Sequence, residues 1–63
     1  MDITYTITFQ YGTYSGQRKI TLEAEDTRDP IEVMWSRMRR AGELTLPMAY
    51  QSAEIIDEQA DDE

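Results

Sequence analysis

The first part of the chain alternates apolar and polar residues. From Ile3 to Tyr11 the odd positions carry isoleucine, tyrosine or phenylalanine, and the even positions carry threonine or glutamine. A period of two built from β-branched and aromatic side chains predicts a strand with one face in the core and the other in water. The sequence therefore predicts a first strand with a wet, threonine-rich face.

A second strand is predicted after a turn of small residues. The segment 12–16 begins and ends with glycine, which can take positive φ, and it predicts the reversal of a hairpin. The returning segment 18–25 alternates again, with Ile20, Leu22 and Ala24 on the side expected to face the core.

A helix is predicted next, with clear signals at both ends. Asp29 is the predicted N-cap, Pro30 occupies the first helical position, and Glu32 can complete a capping box. Gly42 is placed to end the helix. Between them, apolar residues recur at helical spacing. They are Ile31, Met34, Trp35, Met38 and Ala41.

A third strand is predicted over residues 48–56, but its phase is ambiguous. Ala53 and Ile55 fit one face of a strand, while Tyr50 and Ile56 fit the other. Because a shift of one residue moves every side chain to the opposite face, the sequence leaves open which residues of this strand are buried.

These elements predict a small α+β domain of the ββαβ type over residues 1–57. A right-handed crossover through the helix returns the third strand parallel to the second, so it pairs antiparallel with the first. The expected sheet is three-stranded and mainly antiparallel, has the order 2-1-3, and packs against one helix. The remaining residues, 58–63, contain only Glu, Gln, Ala and Asp and predict an acidic disordered tail.

The composition argues against most catalytic and metal chemistry. The chain contains no cysteine and no histidine, which excludes disulfides, Cys/His zinc sites and catalysis by either residue. Carboxylate pairs such as Glu23 and Glu25 are expected to be solvated, with no second catalytic partner. We therefore expect a protein that is not an enzyme, with no catalytic residues, no metal site and no cofactor.

The net charge disfavours binding to other anions. Thirteen acidic residues against six basic ones give a charge of -7, which repels nucleic acid phosphates and anionic lipids. The sequence shows neither a signal-peptide pattern at its N-terminus nor an apolar run long enough to span a bilayer. These features predict a cytoplasmic protein without direct nucleic-acid or membrane binding.

The charges are unevenly distributed. All six cations lie between Arg18 and Arg40, and the arginines near the helix C-terminus are explained by the helix dipole without any ligand. The acidic surface is predicted at the other end, from Glu54, Asp57, Glu58, Asp61, Asp62 and Glu63. Either it only solubilises the chain, or it imitates DNA phosphates. The second reading gives one hypothesis, an inhibitor of a nucleic-acid enzyme of the anti-restriction or anti-CRISPR type carried by phage or mobile elements.

A protein interaction is the leading hypothesis. A domain of this size buries only about 60% of its unfolded surface, so a partner or self-association is expected to add stability. The third strand is the better edge for strand addition or a homodimer, the polar helix face offers a second surface, and a tyrosine at the hairpin tip either meets a partner or packs on its own hairpin. The predicted partner-binding residues are Tyr14, Val33, Arg37, Arg40, Ala53, Ile55 and Ile56. The chain is thus read as a non-enzymatic interaction or regulatory module, with a structural subunit of a larger assembly as a further alternative.

Overall fold

Three β-strands and one α-helix form the part of the chain that the computed structural model describes, residues 1–44 and 51–61. In chain order they are β1 (Asp2–Tyr11), β2 (Tyr14–Glu23), α1 (Pro30–Arg40) and β3 (Gln51–Asp61). The strands form an antiparallel sheet of order β2-β1-β3, and α1 packs on one face. The predicted α+β class, the ββαβ element order and the sheet order 2-1-3 are confirmed.

The β1–β2 hairpin is tighter than predicted. Tyr11 pairs with Tyr14, which leaves only Gly12 and Thr13 in the loop. Gly12 has a φ of 60°, which suits the first central position of a type II′ turn. Ala24, which was expected to face the core, instead lies beyond β2 and is exposed.

The core lies between α1 and the apolar face of the hairpin. The Trp35 ring meets Phe9 edge-on at a centroid distance of 5.8 Å, and it lies 6.3 Å from the Tyr11 ring. Aromatic rings favour such tilted contacts because of their quadrupoles. The buried residues are Ile7, Phe9, Tyr11, Ile20 and Leu22 from the sheet and Val33, Met34, Trp35 and Met38 from the helix.

Both ends of α1 are those predicted from the sequence. At the N-terminus, the Asp29 carboxylate accepts a hydrogen bond from the Ile31 backbone N–H at 3.0 Å. At the C-terminus, Gly42 has a φ of 76°, and the Glu43 N–H donates to the carbonyl of Met38 at 3.0 Å. This bond, with a second from the Gly42 N–H to the preceding turn, makes a Schellman motif.

The strand β3 is longer than predicted. Residues 58–61, which were expected to belong to a disordered tail, extend β3 and pair with the first residues of β1. Pairing is made by backbone groups, so this segment joins the sheet although its side chains are polar and exposed. Residues 48–50 of the predicted strand and residues 62–63 of the predicted tail lie outside the described part of the chain.

A register shift in β3 resolves its ambiguous phase. Thr6 pairs with Asp57 and the next residue, Ile7, pairs with Ile55, so Ile56 is the extra residue of a β-bulge. Ala53 and Ile55 are therefore in register with core residues of β1, and the alternation restarts in the opposite phase after Ile56.

We predict that the two glycines Gly42 and Gly16 respond differently to alanine. Gly42→Ala places a Cβ at positive φ and should lower the free energy of unfolding by about 1 kcal/mol, with a melting temperature lower by about 4–8 °C. In Gly16→Ala, the added Cβ lies at an ordinary 3.5 Å from the Phe9 ring, and stability should change by less than about 0.5 kcal/mol. Thermal and urea unfolding measure both; equal losses would contradict the assigned helix end.

Candidate protein interface

The strand β3 forms one edge of the sheet. It pairs with β1 on one side, and no described residue pairs with its other side. Its eleven residues extend over about 36 Å at the usual rise per residue of a strand. A row of backbone N–H and C=O groups along this length is thus open to pairing with another chain.

Apolar side chains are exposed along the same edge. Ile56, the extra residue of the bulge, is 50% exposed, and Ile55 beside it is 36% exposed. Ala53 is half-buried and packs against the core cluster. The three residues predicted to form the docking edge therefore lie together on β3, and the two isoleucines are accessible to a partner.

The helix covers only part of the sheet. With eleven residues, α1 is about 16 Å long, whereas the ten-residue β1 extends over about 33 Å. Ile3 and Tyr5, on the same side of β1 as the core, are only half-buried. Their neighbours on β3, Ala60 and Glu58, are exposed. An incompletely covered apolar strip therefore lies on the helix side of the sheet, next to the free edge.

Three carboxylates of β3 share the opposite face of the sheet, the helix-free face, which no helix of residues 1–44 and 51–61 covers. Glu54 pairs with Thr8 and Asp57 with Thr6, and the threonines of β1 all lie on this face. In a regular strand a spacing of three would place Glu54 and Asp57 on opposite faces, but the bulge between them restores the phase. Asp61 continues the row, with its Oδ2 accepting from the Thr4 hydroxyl at 3.4 Å.

The predicted acidic surface is therefore divided between the two faces. Glu58 pairs with Tyr5 and lies on the helix side, away from the other three carboxylates. Asp62 and Glu63 lie outside the described residues. The helix-free face of β3 thus contains Glu54, Asp57 and Asp61 and, in the described strand, no basic residue.

The helix face differs from the prediction at one position. Val33 was predicted to bind a partner, but it is 7% exposed and belongs to the core, because α1 turns this residue toward the sheet. Arg37 and Arg40 are exposed and line a surface groove together with Glu32. Neither arginine forms an ion pair with the residues that the structure describes.

Tyr14 has one of its two predicted roles, packing on its own hairpin, and stays partly exposed. Its ring packs against Phe9 at a centroid distance of 5.5 Å, and its hydroxyl accepts a hydrogen bond from Arg18 Nη2 at 3.3 Å. The side chain is nevertheless 47% exposed. Tyr14 therefore packs on its own hairpin and still offers about half of its surface to the solvent.

Arg18 is a contact that the sequence analysis missed. Its guanidinium carbon lies 5.9 Å from the centre of the Phe9 ring, and the same group pairs with the Glu43 carboxylate. The alternation of residues along β2 contained a signal for this contact, since Arg18 lies on the same strand face as the core residue Ile20. The charge of Arg18 is thus partly satisfied within the molecule, above the aromatic core.

A second ion pair orders the loop between β2 and α1. The Arg28 Nη2 lies 2.7 Å from Asp26 Oδ2, and the Arg28 backbone N–H donates to Oδ1 at 2.9 Å. These hydrogen bonds, the side-chain ones first, lower the pKa of Asp26 from 3.8 to about 2, and the pKa of Arg28 is raised in turn. Arg28 is therefore engaged, in contrast to Arg37 and Arg40.

Neither a group of metal ligands nor a similarity to known proteins indicates a further site in the described residues. Over residues 1–44 and 51–61, no three acidic side chains are grouped to hold a metal ion. In the same part of the chain, no helix is long and apolar enough to cross a membrane. No protein-family model, curated protein or solved structure matches the chain. The free edge of β3 is the candidate site that the geometry supports best.

We predict that Arg28→Gln raises the pKa of Asp26 toward 3.8 without reaching it, because the backbone N–H at position 28 still donates. Since the folded-state pKa is depressed, the pair contributes stability above pH 3.8, and this contribution is lost as the pH falls through about 2. NMR titration of the Asp26 carboxyl measures the midpoint. Arg37→Gln, which removes a cation that forms no ion pair with a described residue, should leave it unchanged; equal shifts in both variants would argue against the assigned pair.

Proposed function

We propose that the chain is a small non-enzymatic interaction module that binds a protein partner through the free edge of β3. The observation that supports this most directly is an eleven-residue edge strand with two accessible isoleucines, Ile55 and Ile56. A strand added to this edge would pair with its open backbone groups and cover these side chains, as in β-augmentation. A regulatory protein and an assembly subunit can both use such an edge.

The energetics favour an added strand. Full burial of an isoleucine contributes about 1.5–3 kcal/mol, so covering the exposed part contributes about half of that amount for Ile56 and about a third for Ile55. Ile3 and Tyr5 of β1 are also only half-buried, but β3 lies between them and an added strand, so they are left out of this sum. Three strands packed on one helix meet the minimum for independent stability, so an added strand supplements a small core.

The polar face of α1 supplies a proposed second contact. Arg37 and Arg40 are exposed, make no ion pair with described residues and line one groove with Glu32. Unlike Arg18 and Arg28, they keep their charge available for an acidic group of a partner. Val33 also lines this groove, but it is buried and contributes little accessible surface.

We predict that Ile56→Lys weakens partner binding by about tenfold or more, because it places a charge in the centre of the proposed contact. The matched control is Gln17→Lys, which adds the same charge at an exposed position of β2, on the other edge of the sheet. Quantitative affinity capture from lysate of the native host, with circular dichroism to confirm folding, compares both with the unmodified protein. Equal partner recovery with Ile56→Lys would exclude docking at this edge.

A second candidate function is an acidic inhibitor that imitates DNA. It is favoured by the row of Glu54, Asp57 and Asp61 on the helix-free face of the sheet. Lys19 lies on the same face of β2 and interrupts the negative surface. An electrostatic mimic differs from a strand-pairing module in losing its target steeply as the salt concentration rises.

We predict, under this second function, that replacing all six acids of the predicted surface by their amides abolishes inhibition of the target enzyme. The substituted residues are Glu54, Asp57, Glu58, Asp61, Asp62 and Glu63. Nuclease assays with a captured enzyme, repeated at rising salt, measure the effect. Full inhibition by the six-amide protein, or inhibition that does not weaken with salt, would eliminate DNA imitation.

A further inference from the structure

We infer that the partner segment of the β3 edge is an extended strand in which basic and apolar residues alternate. This inference rests on the proposed function, because it assumes that the edge is the docking site. It adds the chemistry of the partner, which the two faces of β3 define separately.

The helix-free face of the edge calls for basic residues. Glu54, Asp57 and Asp61 lie on this face of β3 and are exposed. None of them forms an ion pair with a described basic residue. In an added strand, the side chains on this face lie beside those carboxylates, at the distance where opposite charges stabilise a cross-strand pair. Lysine or arginine is therefore the complementary residue.

The helix side of the edge calls for apolar residues. Ala53, Ile55 and Ala60 are the members of β3 in register with Phe9, Ile7 and Ile3, on the core side of the sheet. Successive side chains of a strand point to opposite faces. If the partner strand has its basic residues on the helix-free face, the residues between them therefore lie on the helix side. Apolar residues at those positions continue the core past Ile55. Glu58 also lies on this side, so the partner residue next to it can be one further cation.

The same charges make a second copy a poor occupant. The sequence of β3 contains four acids and no base, so antiparallel pairing of two β3 edges sets carboxylates against carboxylates. Like charges directly opposite one another destabilise a pair of strands. Pairing of β3 with the β2 edge of another molecule offers Lys19 on the required face, but also Glu23. A basic strand from a different protein fits the edge better than either arrangement.

The test uses short synthetic peptides with blocked termini. One alternates lysine and valine, a second has the same composition arranged in blocks, and a third alternates glutamate and valine. Titration into the isotopically labelled protein, followed by NMR, gives the affinity of each peptide. Amide hydrogen exchange of residues 51–61 reports whether β3 acquires a strand partner. We expect the alternating lysine peptide to bind at least about tenfold more tightly than the other two and to protect the β3 amides.

Two controls separate the charge inference from the docking proposal. Asp57→Asn with Asp61→Asn should weaken binding of the alternating lysine peptide by about tenfold, from two lost cross-strand pairs, while Glu23→Gln with Glu25→Gln should not. N-methylation of alternate peptide bonds removes the backbone donors without touching the protein, and it should abolish protection of the β3 amides.

Each alternative result has a distinct meaning. If the glutamate peptide protects β3 as well as the lysine peptide does, the inferred partner chemistry is wrong although the edge still docks strands. If the lysine peptide binds without protecting β3, and N-methylation has no effect, the binding is only electrostatic and both proposals fail. If the protein alone associates with rising concentration and protects its own β3 amides, a second copy is the occupant and the inference is overturned.

Discussion

Pairing of the central strand β1 with both of its neighbours is the interaction on which the rest of the structure depends. All three strands are joined through β1, since β2 and β3 do not pair with each other. The odd residues of β1 form one side of the core, and Trp35 and Met38 of α1 pack in the same core. The even residues form the threonine face, which no described helix covers. Because β1 uses both of its edges internally, the two outer strands provide the free edges of the sheet.

The β-bulge at Ile55 and Ile56 determines what the free edge of β3 presents. Without it, Glu54 and Asp57 would lie on opposite faces, and the apolar residues of the strand would be divided in the same way. With it, the carboxylates gather on the helix-free face, while Ala53 and Ile55 stay in register with the core. Bulges are common at sheet edges, where they bend a strand and limit unwanted pairing. Here the bulge also places two accessible isoleucines in the middle of the edge.

Among the described residues, some charged side chains form internal ion pairs and others do not. Arg18 and Arg28 are engaged, the first with Glu43 above the Phe9 ring and the second with Asp26. Arg37 and Arg40 on the helix, and the carboxylates of β3, form no ion pair among the described residues. In the proposed function, the acidic edge and the basic helix face each recognise a partner group of opposite charge, while the acidic edge resists pairing with itself.

The sequence by itself determined the elements whose signals are local. The alternation from Ile3 to Tyr11 predicted β1, and Asp29 and Gly42 predicted both ends of α1, because strand periodicity and helix caps depend on residues a few positions apart. The strand order followed from these elements and the handedness of the crossover. The tertiary structure alone decided the bulge at Ile56, the pairing of residues 58–61 and the burial of Val33. Those features depend on which distant strand or helix lies opposite a residue, and no local pattern in the chain encodes that contact.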